Sequence, residues 1–110
     1  MAFPNPFRCV PSAAVAALAA VALGAAAPAP SVIKIDNFTF GPADTTVPVG
    51  TTVTWVNNDD IPHTVVATDK SFKSKVLDTD EKFSFTFAKA GTYDYFCSIH
   101  PHMTGKVIVK

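Results

Sequence analysis

The chain has 110 residues, with nine Lys plus Arg balanced by nine Asp plus Glu. That length allows one domain. A formal net charge of zero gives no sign of the basic face that nucleic-acid binding needs.

Arg8 is the only charged residue before Lys34. Residues 10–23 are rich in Ala, Val and Leu and lead into the small-residue run Gly24-Ala25-Ala26-Ala27. A basic start, an apolar run and a small-residue exit form the secretory pattern. Pro28 disfavours a cut after Ala27, so cleavage is expected after Ala26. Residues 1–26 then read as a cleaved signal peptide, 27–31 as a linker stiffened by Pro28 and Pro30, and 32–110 as the domain, exported to the periplasm. The alternative is an uncleaved membrane anchor, for which the Ala-rich run barely reaches the roughly 20 helical residues a bilayer requires. Loss of Arg8 leaves the exported chain with a net charge of −1. Cys9 leaves with the signal segment, so Cys97 becomes the only thiol. A lone thiol in an oxidising compartment is a liability unless something occupies it, and a metal would.

Beyond the linker, short segments of period-two alternation are separated by turn residues. The first, 32–40, carries Val32 and Ile35, with Phe38 and Phe40 alternating beyond, and Gly41-Pro42 breaks it. In 45–49, Val47 and Val49 share a face, and Pro48 marks an edge strand. The clearest strand is 51–57, where Val53 and Trp55 oppose Thr52 and Thr54 and β-branched residues dominate. Asn57-Asn58-Asp59-Asp60 reads as a loop that ends at Ile61-Pro62, and strand character resumes over 63–68. The stretch 69–80 has the least pattern. Its Lys70, Lys73 and Lys75 surround Phe72 and read as a solvated face, with a short strand near 75–77. Phe83, Phe85 and Phe87 alternate with Lys82, Ser84 and Thr86. Tyr93 and Tyr95 share a face in 92–96, and Val107 and Val109 alternate in the last strand, which Gly105 opens. No segment of the exported chain has helical periodicity over two turns. About seven or eight short strands at this spacing predict an all-β antiparallel sandwich, with Val53, Trp55, Phe83, Phe85, Phe87, Tyr93, Val107 and Val109 as its core.

Chemistry concentrates in Tyr95-Phe96-Cys97-Ser98-Ile99-His100-Pro101-His102-Met103. Taken singly, Cys97 and Met103 read as core residues and His100 as a surface residue. Together, a thiolate, an imidazole and a thioether at the spacing Cys-x-x-His-x-x-Met suit copper, soft enough for Cu(I) and nitrogen-rich enough for Cu(II). A plane of one thiolate and two imidazoles with a long axial thioether lacks one imidazole here. His63 is the only His outside the loop, and Pro62 limits the freedom of the backbone entering it. His102 is expected to stay exposed, because Pro101 stiffens the loop and turns alternate side chains apart.

The pattern Ile61-Pro62-His63, followed far downstream by Tyr93-Asp94-Tyr95-Phe96-Cys97-Ser98-Ile99-His100-Pro101-His102-Met103-Thr104-Gly105-Lys106-Val107, resembles the cupredoxins. The short loop is most similar to the amicyanin branch, with plastocyanins and pseudoazurins as longer-loop relatives, and the likeness covers 32–110. It implies a Greek-key β-sandwich, one type 1 copper ion and electron transfer. His63, Cys97 and His100 would be the equatorial ligands and Met103 the axial one. Two positions depart from the family. Thr64 stands where many cupredoxins carry an Asn that ties the two ligand loops together, and His102 stands where a non-coordinating residue is usual.

The expected function is a monomeric one-electron carrier cycling Cu(I)/Cu(II) between a redox donor and a redox acceptor. By analogy, electrons pass through the edge of His100, with Ile99, Pro101 and Pro62 as a small apolar docking patch and Lys73 among the charges that steer encounter. The alternative is an exported copper-delivery protein with the same ligands. An enzyme, either a Cys–His or a zinc hydrolase, is disfavoured. Cys97 beside an imidazole is formally a nucleophile–base pair, but no oxyanion-hole motif is visible and an axial Met serves neither reaction.

Overall fold

The computed structural model describes residues 28–110; the expected signal peptide and its cleavage site lie outside the described residues. The chain forms β1 (Ser31–Asp36), β2 (Thr39–Gly41), β3 (Asp44–Val47), β4 (Thr52–Asn57), β5 (Val66–Ala67), β6 (Lys82–Thr86), β7 (Gly91–Phe96) and β8 (Thr104–Val109). These strands make two four-stranded sheets, ordered β2-β1-β4-β6 and β3-β8-β7-β5. The expected all-β sandwich is therefore what folds.

Strand direction is the one respect in which the pattern differs from an all-antiparallel reading. β1 runs parallel to β4, and β3 parallel to β8. The other pairings are antiparallel. After the β1–β2 hairpin the chain crosses to the opposite sheet at Gly41-Pro42-Ala43, so β1 and β3 each lie beside a strand distant in sequence. Alternation records which face a side chain occupies, not which way its neighbour runs.

The core lies between the sheets. Ile33, Ile35, Phe40, Val53 and Trp55 come from one, and Val47, Ala67, Tyr95, Val107 and Val109 from the other. Phe83, Phe85 and Tyr93, expected in the core, are only partly buried against it. A further core residue comes from the unpatterned stretch. Phe72, 4% exposed, sets its ring 5.4 Å from Trp55, 5.0 Å from Phe85 and 5.6 Å from Phe87, measured between centroids. On the solvent side, Thr52 pairs with Thr86 and Thr54 with Ser84 through hydroxyl hydrogen bonds of 2.7 Å, which support the β4–β6 register. The short strand expected near 75–77 is reduced to isolated bridges, His63 with Leu77 and Val66 with Lys73. Gly105 faces Tyr95 across the β7–β8 ladder. A β-carbon there would overlap the buried tyrosine ring, so only glycine lets the ring lie over this strand.

Candidate metal centre

His63 enters the site on the connection between β4 and β5. Its backbone exchanges two hydrogen bonds with Leu77, His63 N–H to Leu77 O at 3.1 Å and Leu77 N–H to His63 O at 2.8 Å. The ring that this bridge holds is fully buried.

Cys97, His100 and Met103 come from the turn that joins β7 to β8. The ladder closes at Phe96–Thr104 and is continued by Cys97 N–H to Met103 O at 3.0 Å. Inside it, His100 N–H reaches Cys97 O at 3.2 Å and Met103 N–H reaches His100 O at 2.9 Å. Three backbone bonds thus tie the three residues together at a spacing of three. Cys97 and Met103 are buried, and His100 is half-buried.

The two segments meet at the sulfur. Nδ1 of His63 and Nδ1 of His100 each lie 3.8 Å from Cys97 Sγ, and the three donor atoms all fall within 4.8 Å of one another. A first-row ion with metal–N bonds of about 2.0–2.1 Å and a metal–S bond of about 2.3 Å, placed at the centre of a trigonal plane, separates N and S by about 3.8 Å. Both N–S separations match that spacing. His102 is exposed and stands outside the group.

Thr64 does what its position demands. Its N–H points at Cys97 Sγ at 3.3 Å and its hydroxyl lies 3.7 Å from the same sulfur. Its Oγ1 accepts the Ser98 N–H at 2.7 Å and meets the Ser98 hydroxyl at 2.8 Å. If Ser98 supplies both of those protons, the threonine proton remains free for sulfur. The loop tie expected of an asparagine is made here by a hydroxyl.

These contacts determine the charge on sulfur. Burial disfavours the thiolate, but hydrogen bonds from the Thr64 N–H and from His100 oppose it and bring the Cys97 thiol down to about 6. The deprotonated form that a metal needs is favoured before any metal arrives.

Two residues of the site escaped the sequence reading. Asp59 lies in the expected 57–60 loop, yet it is buried and its Oδ2 lies 2.9 Å from His63 Nε2. The His63 hydrogen bond lowers the Asp59 carboxyl; burial opposes it, and the N–H groups of Phe38 and Asp60 reinforce it. Phe38 had been placed on one face with Phe40. Positive φ values at Asn37 (51°) and Phe38 (59°) turn its ring instead to the imidazoles, edge-on, with centroids 5.8 Å from His63 and 5.0 Å from His100. Phe38, Ile99, His100, Pro101, His102 and Met103 line a surface groove of about 430 Å³. Pro62, expected beside it, is exposed but is not part of that lining.

The family model described as the Cupredoxin-like domain matches residues 9–109. Amicyanin from Paracoccus denitrificans is 38% identical over 106 residues, covering 92% of this chain and 77% of that protein. Amicyanin from Paracoccus versutus is 37% identical over 84 residues, covering 72% of this chain and 64% of its own length. Among solved structures, the purple cupredoxin from Nitrosopumilus maritimus superposes with a TM-score of 0.71 at 35% identity, covering 73% of this chain and 99% of that one. With that match spanning nearly the whole sequence, and a two-sheet sandwich presenting two imidazoles and a thiol at one end, the chain belongs to the cupredoxin-like family.

Proposed function

We propose that this chain is a one-electron carrier that holds a single copper ion and cycles it between Cu(I) and Cu(II). The observation that carries this reading is the assembled donor set, with two Nδ1 atoms 3.8 Å from one buried sulfur whose thiol is already biased to the anion. His63, Cys97 and His100 would form the plane. Met103, buried at the base of the same turn, would supply the axial thioether, the position that tunes the potential of such sites. Bound copper supplies the redox chemistry; the chain supplies rigidity. The His63–Leu77 bridge, the three-bond turn and the Thr64–Ser98 tie hold the donors in one arrangement for both oxidation states. Little then has to rearrange when an electron moves.

His63 is sealed while His100 keeps an accessible edge, so His100 is the proposed route for the electron. Ile99, 44% exposed, and Pro101 flank it, a small apolar surface suited to brief docking with a redox donor and a redox acceptor. The protein is proposed to work as a periplasmic monomer after removal of residues 1–26, and not as an enzyme.

The test is a visible and EPR spectrum of the copper-loaded protein, followed by voltammetry. A carrier gives an intense blue Cu(II) form, reversible one-electron redox and slow loss of copper to a chelator. A colourless site, or one that surrenders copper rapidly, overturns the carrier reading in favour of copper delivery.

A further inference from the structure

Asp59 touches no donor atom, yet three N–H groups converge on its carboxylate. Oδ2 accepts from His63 Nε2 at 2.9 Å and from Phe38 N–H at 3.2 Å, and Oδ1 accepts from Asp60 N–H at 2.9 Å. The residue is 8% exposed and is itself held. Its N–H donates to Asn57 Oδ1 at 2.9 Å, and its carbonyl accepts from Thr79 Oγ1 at 2.7 Å. Asn57, fully buried, anchors the far side through Nδ2 to Ile61 O at 2.9 Å and Leu77 O at 2.8 Å. Leu77 is also the residue bridged to His63. The carboxylate is therefore a fixed object built into the loop.

One oxygen serves two purposes. A carboxylate facing Nε2 requires that nitrogen to carry the proton, which leaves the Nδ1 lone pair directed at the sulfur. The same oxygen holds the Phe38 amide, and Phe38 needs holding. Asn37 and Phe38 occupy the left-handed region in succession, which is costly for residues with a β-carbon and most so for a bulky one. The two-residue turn between β1 and β2, closed by the Asp36–Thr39 pair, requires that conformation at both positions. With the ring 50% exposed, it also sets the ring edge-on to both imidazoles.

We infer that Asp59 is a positioning residue that sets, through one oxygen, both the tautomer of His63 and the seating of the Phe38 ring against His100. This rests on the copper reading for its purpose, but the first arm of its test does not. Loss of the carboxylate disturbs both imidazoles, although it touches only one.

The test begins with the metal-free wild-type protein. NMR is expected to show His63 as the Nε2–H tautomer, with that proton and the Phe38 amide both slow to exchange with solvent. A His63 Nδ1–H tautomer, or rapid exchange at either proton, overturns the inference without any variant. The second arm compares D59N with F38L in the Cu(I) form. An amide offers one acceptor oxygen to three donors, so D59N must release at least one of them. D59N is expected to lose the Phe38 ring-current shift on the His100 protons and to bind copper about 10- to 100-fold more weakly. F38L is expected to lose the same shift while keeping the His63 tautomer. A D59N protein that retains the His100 shift refutes the coupling. A wild-type protein that takes no blue colour refutes the copper reading instead and leaves the metal-free measurements valid.

Discussion

Thr64→Val removes one oxygen and keeps nearly the same shape. The Ser98 N–H at 2.7 Å and the Ser98 hydroxyl at 2.8 Å lose their partner, and sulfur loses the hydroxyl at 3.7 Å, while the Thr64 N–H to sulfur survives. Ser98 is exposed, so water takes over part of its bonding. At about 0.5–1.5 kcal/mol for each intramolecular hydrogen bond, the total loss is about 1–2 kcal/mol. For a domain of this size 1 kcal/mol moves Tm by about 4–8 °C, and calorimetry of the copper form is expected to show a fall on the order of 10 °C. Voltammetry separates the tie from the bulk effect. A weak O–H···S bond of about 0.5–1 kcal/mol stabilises the thiolate and so disfavours its donation to Cu(II). Its loss lowers the potential by about 20–40 mV, at about 59 mV per tenfold change for one electron. Thr64→Ser keeps the oxygen and loses a methyl, so it is expected to soften the protein slightly and leave the potential in place. Equal shifts in the two variants, or none in Thr64→Val, would refute the role assigned to the hydroxyl.

In the metal-free protein, ultraviolet absorbance of the Cys97 thiolate is expected to titrate with a midpoint of about 6. The folded value lies below the unfolded thiol's value of about 8.5. The unfolded chain therefore binds the extra proton between those limits, and stability rises with pH across them and is lost as pH falls through about 6; a midpoint at or above the ordinary thiol value contradicts this. Phe72→Ala is expected to cost about 3–5 kcal/mol in urea denaturation, because its ring packs against Trp55, Phe85 and Phe87 at the heart of the aromatic cluster. A loss near the about 0.5 kcal/mol typical of a surface site would show that the ring is not part of the core. His102→Ala is expected to leave the visible spectrum of the copper form unchanged, whereas His100→Ala abolishes the blue band. An altered spectrum in the first would place His102 among the ligands.

The donor cluster was legible because its members lie at a spacing of three in one turn, and because His63 was the only imidazole left to complete it. The strands were legible because β4, β7 and β8 alternate without interruption. Phe72 was not, since it reaches the core from an irregular crossing where side-chain direction follows no period. Phe38 was misplaced because alternation assumes extended backbone, and two left-handed residues break that assumption. Asp59 hid in a run of Asn and Asp that has the composition of any turn. Its burial depends on Phe38, His63 and Thr79 closing around it, and no local pattern records that. The parallel pairings of β1 and β3 were equally invisible, because they are decided by the route between sheets.

His63 and Cys97 stand 34 positions apart, one on the connection between the sheets and the other at the tip of a hairpin. An ion gripped by both acts as a removable crosslink on the chain. Polymer statistics for closing a ring of that length give on the order of 4 kcal/mol taken from the unfolded ensemble. For a small domain that is a large share of total stability. Copper occupancy is then also a matter of lifetime. Empty molecules open more often and meet proteases more often, so the population would be pruned toward the molecules able to carry an electron.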